Sequence, residues 1–514
     1  MTATSKTTKG TRIKRFRDFW AVFRHSRRAL FGIGILIIYG TLAVAAPLLT
    51  TNDPVLGVDI SGKRALPMWY RSLPGGEKLS TNFYLVQEPG FPNPNSILEW
   101  NLTSSSEKAT VTLSHDAFMG SGSAAIGFVR KDAWEQAGLV QVYLTKEFSW
   151  QRDHPFRFKC NLTIFTREVD RVPVTVSVKI HQVGNSTQFA SYPLLGSGFY
   201  AISIENDTSP LFGITPSPPI DSDSNELKNK FATTDIPIGL PARTVFSKPG
   251  NYVYNISISF KDDKVPAGDE GVRATVYLDD LNVQLFGKAY GTLGTDWLGR
   301  DLFAQFVYGA RISLIVGLLS AFLSVGIGLA VGIVSGYVGR LFDEIMMRFA
   351  DMLLVLPGLP LLMVLILVLG TSINNLIIII GLLGWMGFAR TVRSQTLSLK
   401  ERPFVEAAKA VGAGRFHIIS RHILPNVMSL VYVSLALSVP TAILSEAALS
   451  WLGLFDPNVV SWGRMLYEAQ AHQGYTQVWW IVPPGISIAL VSLSFILLGY
   501  ALDEILNPKL RVRR

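Results

Sequence analysis

Hydrophobic residues run along this chain in two rhythms. From Ala29 to Leu49 lies an uncharged apolar run, long enough to cross about 30 Å of hydrocarbon. Between residues 50 and 290 no run approaches that length, and short alternating segments are separated by Gly, Pro, Asn and Asp. Val172, Val174, Val176, Val178 and Ile180 fall on one face, with Pro173, Thr175, Ser177 and Lys179 on the other, as a half-buried strand requires. Tyr254, Ile256, Ile258 and Phe260 repeat the pattern. So do Val276, Leu278, Leu281, Val283 and Leu285, around a break at Asp279-Asp280. Strands this short and numerous predict an antiparallel sandwich. From Ser313 onward long apolar stretches return, predicting five further spans near 309–336, 349–370, 375–392, 427–450 and 479–500. With the first they make six. The expectation is an all-α polytopic membrane domain carrying an inserted all-β sandwich, jelly-roll-like, outside the membrane.

Length and composition agree. A chain of 514 residues exceeds one hydrophobic core, and positive mean hydropathy with 17 % charged residues points to membrane spans. The net charge of +9 could suggest nucleic acid, but residues 51–290 hold 22 Lys and Arg against 25 Asp and Glu. The excess therefore flanks the apolar segments, and no nucleic-acid partner is expected. The basic leader (Lys14, Arg15, Arg17, Arg24, Arg27, Arg28), the 390–421 loop and the tail (Lys509, Arg511, Arg513, Arg514) fall on one side of a six-span count. By the positive-inside rule that side is the cytoplasm. Residues 1–28 then form a cytoplasmic N-terminus, 29–49 the first span, 50–290 an extracytoplasmic insert and 291–514 the remaining membrane core. A cleaved signal peptide ending at Ala43-Val44-Ala45 competes for the first run, but run and leader are both long for one. Cys160 is the single cysteine, so no intrachain disulfide and no multi-cysteine metal site is available.

Several spans read as a packed bundle. Gly328, Gly332 and Gly336 recur at four-residue spacing, baring one helix face. Pro357, Pro360, Pro440, Pro483 and Pro484 are expected to kink spans three, five and six, shaping a scaffold or lining a path. Trp479 and Trp480 are expected to anchor the outer start of the last span at the interface. Asp351, Arg390 and Glu446 lie near span ends, where they can serve transport or snorkel to the surface. Arg300 and Arg311 are equally open.

The most patterned polar segment is Ser398 to Asn426, SLKERPFVEAAKAVGAGRFHIISRHILPN. Pro403 can open a short helix, and Gly412-Ala413-Gly414 can end it. A second short helix from Arg415 to Ile423 should stop before Pro425. Ala407, Ala408 and Ala410 would let the first helix sit in another protein's groove, while Glu406 could stabilise its N-terminus or meet a cation. Such a protrusion could pass a partner's movement into the membrane.

Glu406-Ala407-Ala408, then Gly412, then Leu424-Pro425 resemble the EAA loop of ABC importer permeases. Where the general pattern has isoleucine two residues before the leucine, this chain has His422. Arg421-His422-Ile423-Leu424-Pro425-Asn426 is instead similar to the oligopeptide and dipeptide branch of that family. Gly294 to Asp301 followed by Tyr308 to Ser313 resembles the same branch, as do Leu444 to Gly453 and Ser461 to Leu466. The resemblance covers the first span and everything after about residue 290, and leaves out the large insert. It implies a permease subunit forming half of a path for oligopeptides or similar solutes. Glu406, Ala407, Ala408, Gly412, Gly414, Arg415, Leu424 and Pro425 would form its ATPase-coupling loop. Implied partners are a second permease, two ATPase domains, an extracytoplasmic substrate-binding protein and the lipid bilayer. An oligosaccharide importer of the same branch, and a surface receptor using the outer sandwich, are the alternatives.

No reaction chemistry is evident. G-x-x-x-x-G-K-[ST], H-E-x-x-H and G-x-S-x-G are absent, and the seven histidines are scattered. The chain is therefore expected to be no enzyme, to hold no metal and to need no cofactor, ATP and magnesium belonging to the partner. Strands such as Ala274 to Phe286 are loosely similar to carbohydrate-binding modules. Trp69, Tyr70, Trp134 and Trp150 could stack on ligands, with core packing the stronger reading. Asn101, Asn161, Asn185, Asn206 and Asn255 begin N-x-[ST] sequons.

Overall fold

The structure, a computed structural model, describes residues 26–506 apart from 87–89, 93, 117–121, 131–137, 170–171, 173, 184–189, 196–200, 203–211, 217–219, 233–237 and 263–271. Trp134, Asn185, Asn206, Pro173, Lys14, Arg15, Arg17, Arg24 and the basic tail lie outside the described residues. The chain divides into two compact units, Met1–Val58 with Arg300–Arg514, and Asp59–Gly299.

The first membrane-length helix, α1 (Arg27–Val44), is capped by Ser26, which accepts from Ala29 N–H. The second unit is built on six long strands: β1 (Ser123–Val129), β2 (Leu139–Trp150), β3 (Arg157–Val169), β4 (Val174–Val183), β5 (Gly250–Lys261) and β6 (Arg273–Phe286). One antiparallel sheet places β6 between β3 and β1, and a second places β5 between β2 and β4. The alternation read around Val174 appears in β4 as alternating buried and half-buried positions from Val174 to His181. Tyr254, Ile256, Ile258 and Phe260 are all fully buried. At Asp279-Asp280 the β6 register against β3 shifts and Asp280 takes φ +53°, a bulge.

The inner faces of both sheets share one core, in which Phe128 of β1 stacks on Phe260 of β5 at 5.3 Å. Each such aromatic contributes about 1.5–3 kcal/mol by burial. Trp150 is buried in this core, whereas Trp69 is exposed. Two short helices, α2 (Asn225–Lys230) and α3 (Pro241–Val245), pack beside it.

The first unit continues with α4 (Leu302–Val338), whose N-terminus is capped by Asp301 accepting from Phe303 N–H at 2.9 Å. Next come α5 (Arg340–Val355), α6 (Gly358–Leu369), α7 (Ile373–Lys400) and α8 (Pro403–Ala410). The long helix α9 (Arg415–Trp451), α10 (Trp462–Ala471) and α11 (Val478–Leu506) complete it. Among the described residues five helices are long and apolar enough to cross a membrane, and α5 with α6 form a pair bent by 95°.

Three expectations need correction. The span expected at 349–370 is broken, not kinked, because Pro357 takes an extended ψ of 116° and α6 restarts with Leu361 N–H on the Pro357 carbonyl. The helix expected to stop before Pro425 runs on to Trp451. A π turn at Ile419–Ile423, with Leu424 N–H on the Ile419 carbonyl, absorbs the proline's missing donor. Trp480 is fully buried instead of lying at an interface, because Gly474 lets the chain pass directly over its ring.

The glycine stripe has a definite partner. A β-carbon at Gly328 would stand 2.8 Å from the Trp385 carbonyl, at Gly332 2.6 Å from that of Ala389, and at Gly336 2.9 Å from that of Arg393. Only glycine lets α4 approach the α7 backbone so closely.

Candidate functional site

The patterned loop is fastened on one side and open on the other. Pro403 is the first residue of α8 and Val405 its buried member. Gly412, at φ +85°, reverses the chain while its N–H donates to the Lys409 carbonyl and Ala413 N–H donates to that of Ala408. Gly414 then leads into α9, with Ile418 N–H on its carbonyl at 3.1 Å. Val405, Ile418 and Ile423 form a core with Ile333 and Tyr337 from the end of α4 and Val392 and Leu399 from the end of α7. Burying each aliphatic anchor is worth about 1.5–3 kcal/mol, enough to hold a short helix that would not form alone.

The opposite face is presented to its surroundings. Glu406, Ala407, Gly412, Gly414, Arg415 and Pro425 are exposed, whereas Ala408 and Leu424 are half-buried against the anchor core. Two residues that sequence reasoning passed over stand out: Val411 and Phe416, 88 % and 83 % exposed. Their signal was available as apolar residues flanking a Gly-Ala-Gly turn, where polar residues are ordinary. His422 lies 6.1 Å from both Phe404 and His417, ring to ring.

Near this loop α5 is held to α7 by Arg393, which reaches Asp343 with Nη2 to Oδ2 at 2.6 Å, and by Arg390 on Asp351. Both carboxylates therefore have cationic partners on the neighbouring helix.

Residues of the other family-like stretches from Arg300 onward meet at the far end of α9. Glu446 does not snorkel: it is buried, and its Oε1 accepts from Ser450 at 2.8 Å and Ser461 at 2.6 Å. Its Oε2 has no hydrogen-bond partner among the described residues. Trp462 donates its indole N–H to the Phe306 carbonyl at 3.1 Å, and its backbone N–H to Ser313. Arg464 Nε binds Glu468 at 2.9 Å, and Arg300 reaches the same carboxylate. All three are buried, so this is a structural clamp whose loss would strand charge. Arg311, by contrast, is exposed. Among the described residues no group of His, Cys, Asp and Glu could hold a metal ion.

Residues 328–512 match the family described as the binding-protein-dependent transport system inner membrane component. Residues 14–67 match the N-terminal transmembrane domain of oligopeptide transport permease C. The oligopeptide transport system permease protein OppC of Haemophilus influenzae is 43 % identical over 223 residues, 43 % of this chain and 71 % of that one. The dipeptide transport system permease protein DppC of Bacillus subtilis is 41 % identical over 224 residues, 42 % of this chain and 68 % of that one. The MetNI methionine ABC transporter, solved in inward-facing conformations, aligns at 18 % identity and TM-score 0.31 over 39 % of this chain and 96 % of its own. With its apolar helices, its separate β-rich unit and relatives of this identity, the chain is a multi-pass membrane protein of the oligopeptide and dipeptide permease family of ABC importers.

Proposed function

We propose that this permease subunit forms half of a transmembrane path for oligopeptides, and that the 398–426 loop is where a separate ATPase drives it. The observation that carries the coupling assignment is the two-sidedness of the loop. Val405, Ile418 and Ile423 are locked onto α4 and α7, while Glu406, Ala407, Val411, Arg415 and Phe416 face outward. Movement applied to that face cannot be absorbed by the loop, because α9 carries it on as one helix to Trp451. At 37 residues that helix is about 55 Å long, longer than a bilayer core. Gly412 and Gly414 shape the turn, and Leu424 and Pro425 sit where the π turn passes into the span.

The peptide cargo is supported by the names of the relatives, which carry oligopeptides or dipeptides. Counting the bent α5–α6 pair as one span gives six, with both termini and the coupling loop on the cytoplasmic side. Support for that side comes from Arg390, Arg393, Lys400, Arg402, Lys409, Arg415 and Arg421. The β-rich unit would then be a jelly-roll-like sandwich outside the cell. ATP and magnesium would be bound by two ATPase domains, with a second permease and an extracytoplasmic binding protein completing the assembly. An anchored receptor would need only one span and leaves the outward-facing loop without a use.

The test is a cysteine introduced at Ala407, combined with the ATPase subunit of an oligopeptide importer from the same organism. Cross-linking that depends on the cysteine is expected. Full transport after Glu406→Trp and Gly412→Trp together would sink the assignment.

A further inference from the structure

We infer that the β-rich unit carries a ligand site of its own, a pocket that takes the carboxylate end of a short peptide. A cavity of about 320 Å³ opens in this unit between the 154–156 segment that leads into β3 and the helices α2 and α3. Phe156, Leu240 and Pro241 give it an apolar wall, and Lys228, Lys288 and Arg243 give it positive charge. Phe156 and Leu240 are 41 % and 48 % exposed, large apolar surfaces that water would otherwise cover.

The cations are not equally available. Lys288 binds Asp153 and donates to His154 Nε2 at 2.9 Å. His154 Nδ1 lies 3.1 Å from the Pro155 carbonyl. Asp223 accepts from Lys63 at 2.9 Å and from Lys228 on its other oxygen. Arg243 pairs with none of the described residues. Lys63, Lys228, Lys288 and Arg243 against Asp153 and Asp223 leave two positive charges in excess.

A guanidinium with an open fork beside an apolar wall fits a carboxylate attached to an apolar body. The free end of a peptide has that form, its last side chain lying on Phe156 and Leu240 and its terminal oxygens on Arg243. The excess positive charge disfavours a metal cation, and a neutral sugar would gain nothing from it. Choosing a peptide among amphipathic acids rests on the peptide-transport reading above.

The full chain in lipid nanodiscs would be titrated calorimetrically with trileucine, with trileucine C-terminal amide and with hexanoate. Trileucine should bind about tenfold or more tightly than its amide, the scale of one charge-assisted contact. Arg243→Gln should remove that preference with unchanged melting, since the side chain is exposed, and Arg243→Lys should keep most of it. Equal binding of acid and amide, or an undiminished preference in Arg243→Gln, overturns the site. Hexanoate binding as tightly as trileucine keeps the carboxylate pocket but overturns the peptide assignment. Coupling to an ATPase is read separately by the Ala407 cross-link, which does not involve this pocket.

Discussion

Ser461 donates its hydroxyl to Glu446 at 2.6 Å, and both residues are buried where α10 begins against the far end of α9. Because α9 starts at Arg415 in the loop, this hydrogen bond ties the far end of the same helix to the segment carrying Trp462 and Arg464. The same carboxylate oxygen also accepts from Ser450 on α9 itself, so one acceptor serves a hydroxyl from each side of the contact.

Replacing Glu446 by alanine should therefore cost about 1–3 kcal/mol, because the Ser450 and Ser461 hydroxyls lose their buried acceptor. Glu446→Gln keeps an acceptor and should retain most of the stability. Thermal melting of the purified chain in detergent separates the two. Equal melting of Glu446→Ala and the parent would show that the clamp contributes nothing.

The contact between α4 and α7 makes a sharper comparison. Gly332→Ala would place its methyl group 2.6 Å from the Ala389 carbonyl and should destabilise the bundle by about 1–3 kcal/mol. Gly326→Ala meets nothing within 4 Å and should be neutral or gain up to about 1 kcal/mol from helix propensity. Yield and melting temperature should fall for Gly332→Ala and hold or rise for Gly326→Ala.

On the 398–426 loop, stability and transport should separate if it couples to an ATPase as proposed. Val411→Asp and Phe416→Asp alter exposed side chains, so melting should hardly change while ATP-driven uptake falls roughly tenfold or more, as loss of an interface anchor does. Ile418→Ala removes a buried anchor and should cost about 2–5 kcal/mol. Uptake measured in reconstituted vesicles, beside melting of each variant, checks both halves.

Burial raises the Cys160 thiol to about 12, with the nearby Asp221 charge acting in the same direction. In the folded chain Cys160 should therefore resist maleimide at neutral pH and react only on unfolding, so a cysteine placed at Ala407 can be labelled without background. The protonated thiol contributes native stability below the ordinary thiol range, and that contribution is lost as pH rises from there through 12. Ready labelling of the native parent chain at pH 7 would contradict this.

The sequence by itself determined whatever depends on near neighbours along the chain. The strand periods at Val174 and Tyr254, the apolar stretches that became helices, the bare face at Gly328, Gly332 and Gly336, and the Pro403 and Gly412 punctuation of the loop all follow from local geometry. Even the bulge at Asp279-Asp280 is local, because two adjacent acids cannot continue an apolar face. Tertiary structure decided the rest. Pro357 breaks its helix by 95° whereas Pro425 is carried through a π turn, and the two residues cannot be told apart by their own chemistry. Glu446 could stay buried only because Ser461, from another segment, came within reach, and Arg300 found Glu468 across 168 residues. Val411 and Phe416 became an outward face only once Val405 and Ile418 had turned inward against α4 and α7. A side chain's environment is set by which distant segments pack on it, and periodicity along one segment carries no record of that choice.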